Sequence, residues 1–266
     1  MRTTSKIFLG VIGGIIAVTI AFIIYLRIAD HSIPKYDFGL NNNPVNMEIA
    51  PYKVVLLDYE TQQNNQHYLK GCLFIEPAAK TNNKKEITYS KKLQPYVNIK
   101  NSNDTLIIKL NLDRLYEDHN IKSNLFVEKM DLKLSADSSI NIISNVYGLG
   151  ANLKNIVTDD VNIKMTGSIN IENCSIKKIT PEIKRNNSFS IKKSKVDTLN
   201  IDLDALDWWE VKDCDIQVEV LTSSRHKSVY FPKSEARELY WNPKNKDARL
   251  NIELKADSAI VHYRQQ

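Results

Sequence analysis

Apolar residues follow three different periods along the chain, and each predicts a different kind of element. The first is unbroken. Ile7 to Leu26 reads IFLGVIGGIIAVTIAFIIYL, a run of 20 residues without a charge. At about 1.5 Å per residue a helix of this length spans roughly 30 Å, the thickness of a hydrocarbon core. A cleaved signal peptide would carry an apolar stretch of about 7–15 residues and a small-x-small site after it. Here the run is longer and leads into Arg27-Ile28-Ala29-Asp30, so an uncleaved transmembrane anchor is expected. Arg2 and Lys6 precede the run, while Arg27 is offset by Asp30. That bias places the N-terminus in the cytoplasm and the rest of the chain across the membrane.

The second period is two. Residues 27–46 read as a polar tether with turn residues at Ser32-Ile33-Pro34 and Asn41-Asn42-Asn43-Pro44. From about residue 47 the chain becomes a series of short alternating segments, of which Leu106, Ile108, Leu110 and Leu112 are the clearest. Such alternation fits strands with one face buried. The expected strands include Lys53–Tyr59, His67–Ile75, Tyr96–Lys100, Thr105–Leu112 and Asn124–Ser135. Loops are expected at 79–86 and 113–123, the second long enough for a short helix.

The third period is 20. Ile169, Phe189, Trp209 and Val229 begin four equivalent segments, followed by Ile171, Ile191, Val211 and Phe231. Next come Cys174, Ser194, Cys214 and Ser234, then Ile176, Val196, Ile216 and Ala236. The last column is Ile179, Leu199, Glu219 and Leu239, in which the glutamate is a misfit. Upstream, Leu149, Ala151 and Ile156 extend the columns, and downstream Leu250 and Ile252 do so after a one-residue shift. The spacing predicts an all-β domain, a β-solenoid of parallel β-helix type with coils of about 20 residues, regular over about 149–240. Two-residue steps are strands with inward side chains, and three-residue steps are corners. The expected organisation is a stub and anchor over 1–26, the tether, and an extracytoplasmic solenoid over 47–266. Whether 47–148 adds coils or forms a separate β subdomain stays open.

Two stretches carry a family resemblance. Met130-Asp131-Leu132-Lys133-Leu134-Ser135-Ala136-Asp137-Ser138-Ser139-Ile140-Asn141-Ile142 and Met165-Thr166-Gly167-Ser168-Ile169-Asn170-Ile171 resemble the repeated units of head-GIN domains. The pair Tyr96-Val97-Asn98-Ile99-Lys100 and Asp104-Thr105-Leu106-Ile107-Ile108 is similar to that family's early strands. The resemblance covers about residues 50–180. It implies an autotransporter-adhesin-like β-solenoid of a bacterial envelope and brings no catalytic residues.

Charge and chemistry narrow the function. Arg2, Lys6, Arg27 and Lys35 against Asp30 give residues 1–35 a charge of +3, so only +2 of the chain's +5 falls on the rest. Nucleic-acid binding calls for a stronger basic field on the binding domain. The five histidines (31, 67, 119, 226, 262) stand far apart and there is no C-x-x-C or H-E-x-x-H, so neither metal nor cofactor is expected. Cys174 and Cys214 share a column two coils apart, about 9.6 Å, beyond the roughly 7 Å a disulfide bridges. Cys72 should lie about five coils from Cys174 at this coil length, so all three cysteines should be free thiols packed as small apolar groups.

Asp159-Asp160 and the trio Asp202, Asp204 and Asp207 could hold a cation or act as acid and base, or simply bond their own backbone in turns. Lys177, Lys178, Lys184, Arg185, Lys192, Lys193 and Lys195 form a basic cluster with only Glu182 among them. It could meet an anionic polysaccharide or lipid, or be a solvated face, since a 20-residue shift sets Asp197 beside Lys177 and Asp215 beside Lys195. Trp208 neighbours the inward Trp209 and so should face outward, in a column with Ser168, Ser188 and Ser228. There it is either a platform for a sugar or protein partner, or is covered by the tail around Tyr240 and Trp241. The sequence therefore reads as a non-catalytic structural or interaction module on a single-pass bacterial inner-membrane anchor, with its C-terminal domain in the periplasm and an envelope protein or glycan as partner. The rival is a polysaccharide lyase or hydrolase on the same scaffold. A signalling subunit is disfavoured by the short cytoplasmic segment Met1–Lys6.

Overall fold

The computed structural model describes residues 3–31, 35–41, 43–60, 67–78, 85–121, 125–136, 139–183, 187–231, 236–254 and 260–263. The chain divides into two compact units, 1–36 and 37–266. In the first, one helix runs Thr3–His31, and its segment Gly10–Arg27 (mean hydropathy 2.1) is long and apolar enough to cross a membrane. The helix continues beyond Leu26, and strands Lys35–Phe38 and Pro44–Glu48 occupy part of the stretch expected to be an irregular tether.

The second unit is mostly strand, in two large sheets. The main path of the nine-stranded front sheet starts with Leu206–Lys212 and continues through Asn187–Lys192, Ile169–Glu172, Leu149–Lys154, His67–Pro77 and Leu125–Ala136, ending in Glu86–Ser90 and Pro44–Glu48. The ten-stranded back sheet runs from Ile260–Tyr263 through Ala236–Pro243, Asp215–Ser223, Lys195–Asp202, Ser175–Ile183, Val157–Met165 and Ile140–Ser144. It then passes Val54–Tyr59 and Thr105–Leu110 and finishes with Val97–Ser102. From Ile140 to Ser223 the chain alternates between the sheets, and from Val157 each new strand pairs parallel to the one before it in its own sheet.

Registers show which residues stack. Phe189 pairs with Ile169 and Trp209, and Val196 with Ile176 and Ile216, each 20 residues apart. The inward members Ile169, Ile171, Phe189, Ile191, Val196 and Leu199 are at most 1% exposed. Burying each such side chain stabilises by about 1.5–3 kcal/mol. Upstream the offset is 18, not 20: Ala151 pairs with Ile169 and Val157 with Ser175. The expected match of Leu149 and Ala151 to Ile169 and Ile171 is therefore out by two. The turn Thr166-Gly167-Ser168 is tight, since a Cβ on Gly167 would lie 2.0 Å from the Leu149 carbonyl oxygen. Downstream the fourth copy splits. Lys227–Phe231 leaves the front sheet and pairs with Leu250–Leu254 at an offset of 23, Val229 opposite Ile252. Six residues, 244–249, separate the strands Ala236–Pro243 and Leu250–Leu254, against three between Asp215–Ser223 and Lys227–Phe231, which accounts for the extra length.

Between Leu149 and Asp215 each reversal from front to back sheet uses one residue with left-handed backbone: Asn155 (φ 57°), Asn173 (54°), Lys193 (49°) and Asp213 (55°). The next residue is Ile156, Cys174, Ser194 or Cys214. Its thiol or hydroxyl, where present, donates to the carbonyl two residues back: Cys174 Sγ to Glu172 at 3.2 Å, Ser194 Oγ to Lys192 at 2.8 Å, Cys214 Sγ to Lys212 at 3.2 Å. That shared bond explains why Cys and Ser alternate in the column; Ser234 lies outside the described residues. The second three-residue step is no reversal. It falls inside strand Ser175–Ile183, where Lys177 and Lys178 are both exposed.

The N-terminal strands are placed out of chain order. His67–Pro77 sits between Leu149–Lys154 and Leu125–Ala136, and Val54–Tyr59 between Ile140–Ser144 and Thr105–Leu110. Both sheets are thus continuous through 47–148, with antiparallel strands at their far ends. A helix, Leu112–Asp118, occupies part of the expected loop 113–123, its first turn capped by Asn111, whose side chain accepts from the Arg114 N–H at 2.9 Å. Cys72 pairs with Gly150, whose strand neighbours Ile169–Glu172, so it lies two strand positions from the strand before Cys174 rather than five coils away. All three cysteines are free.

Candidate functional site

The outward face of the front sheet is built from columns of matched residues. Asn152, Asn170, Ser190 and Glu210 stack in one column, and Lys154, Glu172, Lys192 and Lys212 in the next. Lysines and glutamates pair across strands, Lys154 to Glu172 at 3.4 Å and Lys192 to Glu210 at 2.6 Å. Glu210 also accepts from Ser190 Oγ at 3.4 Å, and the Lys192 ammonium holds its carboxyl below the usual range. In the third column Ser188 Oγ donates to Ser168 Oγ at 2.9 Å, and Trp208 stands opposite Ser188.

Trp208 lies on Leu206–Lys212, the edge strand of this sheet among the described residues, and its indole is 51% exposed. The described tail does not cover it. Trp241 is buried in the back sheet and Tyr240 stacks on His262 with ring centroids 4.5 Å apart. Ser228, the expected fourth member of the column, pairs with Asn251 in the separate two-stranded sheet. Inward Trp209 and Val211 are only half-buried, unlike Phe189 and Ile191 on the next rung.

The basic cluster does not form one cationic face. Lys177 meets Asp159 at 2.7 Å, Lys178 stands in register with Asp160, and Lys195 with Asp215. Lys193 occupies the left-handed corner and is exposed. Lys184 and Arg185 lie outside the described residues. The sequence signal for this interleaving was the repeat itself, although Lys177 takes its nearest partner 18 residues back rather than 20 ahead.

The acidic residues are held in structural bonds. Burial alone would raise the Asp204 carboxyl, yet hydrogen bonds from Ser223 Oγ (2.6 Å), the Ser224 N–H (2.8 Å) and Lys244 Nζ (3.1 Å) hold it well below the usual range. Lys244 also reaches Asp202 at 2.6 Å. The Asp207 side chain lies outside the described residues. A shallow groove of about 580 Å³ on the back sheet, lined by Thr180, Glu182, Asn200, Asp202, Val220 and Thr222 among others, went unread in the sequence apart from Asp202. Its carboxylates are tied as well, Glu182 to Lys164 at 2.8 Å and Asp202 to Lys244. Among the described residues no group of three His, Cys, Asp or Glu side chains is placed to hold a metal ion.

No family model matches the chain, and no curated protein matches it by sequence. Solved structures overlap it in part. A candidate adhesin from Bacteroides fragilis is 8% identical, with a TM-score of 0.47 over 83% of this chain and 94% of that one. A candidate lipid-binding protein from Parabacteroides distasonis is 16% identical, at 0.39 over 87% and 100%. A candidate adhesin from the same organism is 13% identical, at 0.40 over 87% and 100%. At these scores the overlap transfers neither an architecture nor a function.

Proposed function

We propose that residues 37–266 form a β-solenoid held at a bacterial envelope membrane by the N-terminal helix, with the domain on the periplasmic side. In this reading it is a non-catalytic interaction module whose contact surface is the outward front face at Trp208, and its partner is a saccharide. The 18- and 20-residue parallel registers support the solenoid, and the apolar segment Gly10–Arg27 behind Arg2 and Lys6 supports the anchor and its orientation.

One observation carries the function: a half-exposed indole on an edge strand, beside hydroxyls and a tethered carboxylate. A flat apolar ring suits the C–H face of a pyranose, while Ser188 and Glu210 offer hydrogen bonds at its rim. The carboxylates that would serve an enzyme, Asp202, Asp204 and Glu182, are instead each bonded to a lysine. The test is calorimetric titration of the full-length chain in detergent micelles with tetrasaccharides of glucose and of N-acetylglucosamine. Binding of at least one probe, weakened tenfold or more by Trp208→Ala at an unchanged thermal midpoint, is the expected result. Lack of binding by either probe contradicts the saccharide reading. Destabilisation by Trp208→Ala of more than about 2 kcal/mol would show the ring to be packed rather than presented.

A further inference from the structure

The misfit of the repeat, Glu219, is the least expected residue of the core. In the back sheet it pairs with Leu199 on one side and Leu239 on the other, in the inward column that runs through Val161 and Ile179. It is 1% exposed and its Oε1 has no hydrogen-bond partner among the described residues. A buried carboxylate in that setting is costly, whereas a buried carboxylic acid is tolerated. Burial alone pushes the group up to about 7.

The charged groups on the surrounding elements face elsewhere. On its own strand Asp215 is exposed and bonded to Arg237 at 3.3 Å. On the preceding strand Lys195 and Asp197 are exposed and Asp202 is bonded to Lys244. On the following strands Glu238 meets His262 at 3.5 Å and accepts from Tyr240 at 2.9 Å. Across the core Glu210 is bonded to Lys192, Lys212 is exposed, and the Cys214 thiol donates to the Lys212 carbonyl. Burial is the one cause acting on the Glu219 carboxyl, with no contribution from a charged neighbour.

Its place in the stack gives the carboxyl leverage. The front sheet ends at Leu206–Lys212, on the same rung, while the back sheet continues with Ala236–Pro243 and Ile260–Tyr263. Among the described residues Glu219 thus sits on the last rung that both large sheets share, next to the C-terminal strand Ala236–Pro243. We propose that Glu219 is a proton-operated latch: neutral, it keeps Ala236–Pro243 and Ile260–Tyr263 packed on the stack, and ionised, it loosens them. This inference is independent of the saccharide reading.

The direction follows from linkage. A solvated glutamate titrates at 4.5 and the closed one at about 7, so the closed state holds its proton more tightly. Closure has full support below about pH 4.5, loses it between 4.5 and 7, and changes little above. Opening is then favoured at pH 8 over pH 4.5 by on the order of a hundredfold.

The test is amide hydrogen exchange of the full-length chain in detergent micelles at pH 5 and pH 8, with rates corrected for intrinsic exchange. Wild type is compared with Glu219→Gln and Glu219→Leu. In wild type the protection of residues 215–223 and 236–243 is expected to fall at least tenfold from pH 5 to pH 8. Both variants should hold the same protection at the two values, and residues 157–183 should not respond in any protein. Equal protection of the wild type at both values overturns the latch, and that result requires no variant to fold. A pH-dependent loss of the same size in either variant overturns it too, by assigning the effect to another group.

Discussion

Lys193 is the residue whose backbone and side chain disagree most. Its equivalents at the other reversals are Asn155, Asn173 and Asp213, types that tolerate left-handed backbone because a short polar side chain bonds locally. Lysine has no such compensation, and its φ of 49° costs on the order of 1 kcal/mol. Lys193→Asn should therefore stabilise the protein by about 0.5–1 kcal/mol, read as a higher denaturant midpoint at unchanged slope. A neutral or destabilising result would mean that the corner is held by contacts of the lysine itself. The pattern was open to reading in the sequence: Asn173-Cys174, Lys193-Ser194 and Asp213-Cys214 share one register. The turn residue stands out less than the small column behind it, because its types, Asn, Lys and Asp, are mixed. Glu219 was visible as a misfit, but its burial was not, because one glutamate in a column of four residues is as easily a solvated break as a core acid.

Among the elements, the turn 203–205 decides how the acidic trio is to be understood. Asp202, Asp204 and Asp207 looked in sequence like either a functional cluster or turn residues. Asp204 reaches across one rung to the Ser223 hydroxyl and the Ser224 N–H, and with Asp202 it clamps Lys244. A carboxylate accepting three such bonds fastens turn 203–205 to its neighbours 223–224 and 244. Asp204→Ala should lower stability by about 2 kcal/mol, measured by chemical denaturation, because two donors lose their acceptor. An effect below about 0.5 kcal/mol would free the carboxylate for another role. Period-2 alternation placed the five strands named from it within two residues of their ends. It could not reveal that Lys227–Phe231 would leave the front sheet, since that depends on the length of a later connection, 244–249.

For the whole molecule, the legible part is the part that repeats. Between residues 157 and 223 each strand stacks on the one before it, so a fixed offset in sequence becomes a fixed neighbour in space. The N-terminal half escapes that logic. There His67–Pro77 pairs with Leu149–Lys154 across an intervening stretch of some 70 residues, and such long-range pairing leaves no period to detect. The long apolar N-terminal helix was legible from length and composition alone, and the exposure of Trp208 from its place beside an inward neighbour. What that surface holds is not written in periodicity, because recognition resides in side-chain chemistry and not in the repeat. The stacking register underlies the front-face columns, the proposed solenoid and the proposed latch alike, and cross-linking tests it directly. Ser168 and Ser188 carry hydroxyls 2.9 Å apart on adjacent rungs, at a strand spacing of about 4.8 Å that a disulfide can bridge. A slip by one side-chain period would bring Ser190 opposite Ser168 instead. Ser168→Cys with Ser188→Cys, oxidised in the full-length chain and mapped by mass spectrometry of linked peptides, should form the 168–188 bond in high yield. Ser168→Cys with Ser190→Cys should stay reduced. A 168–190 bond, or a reduced 168–188 pair in folded protein, would contradict the register and the account built on it.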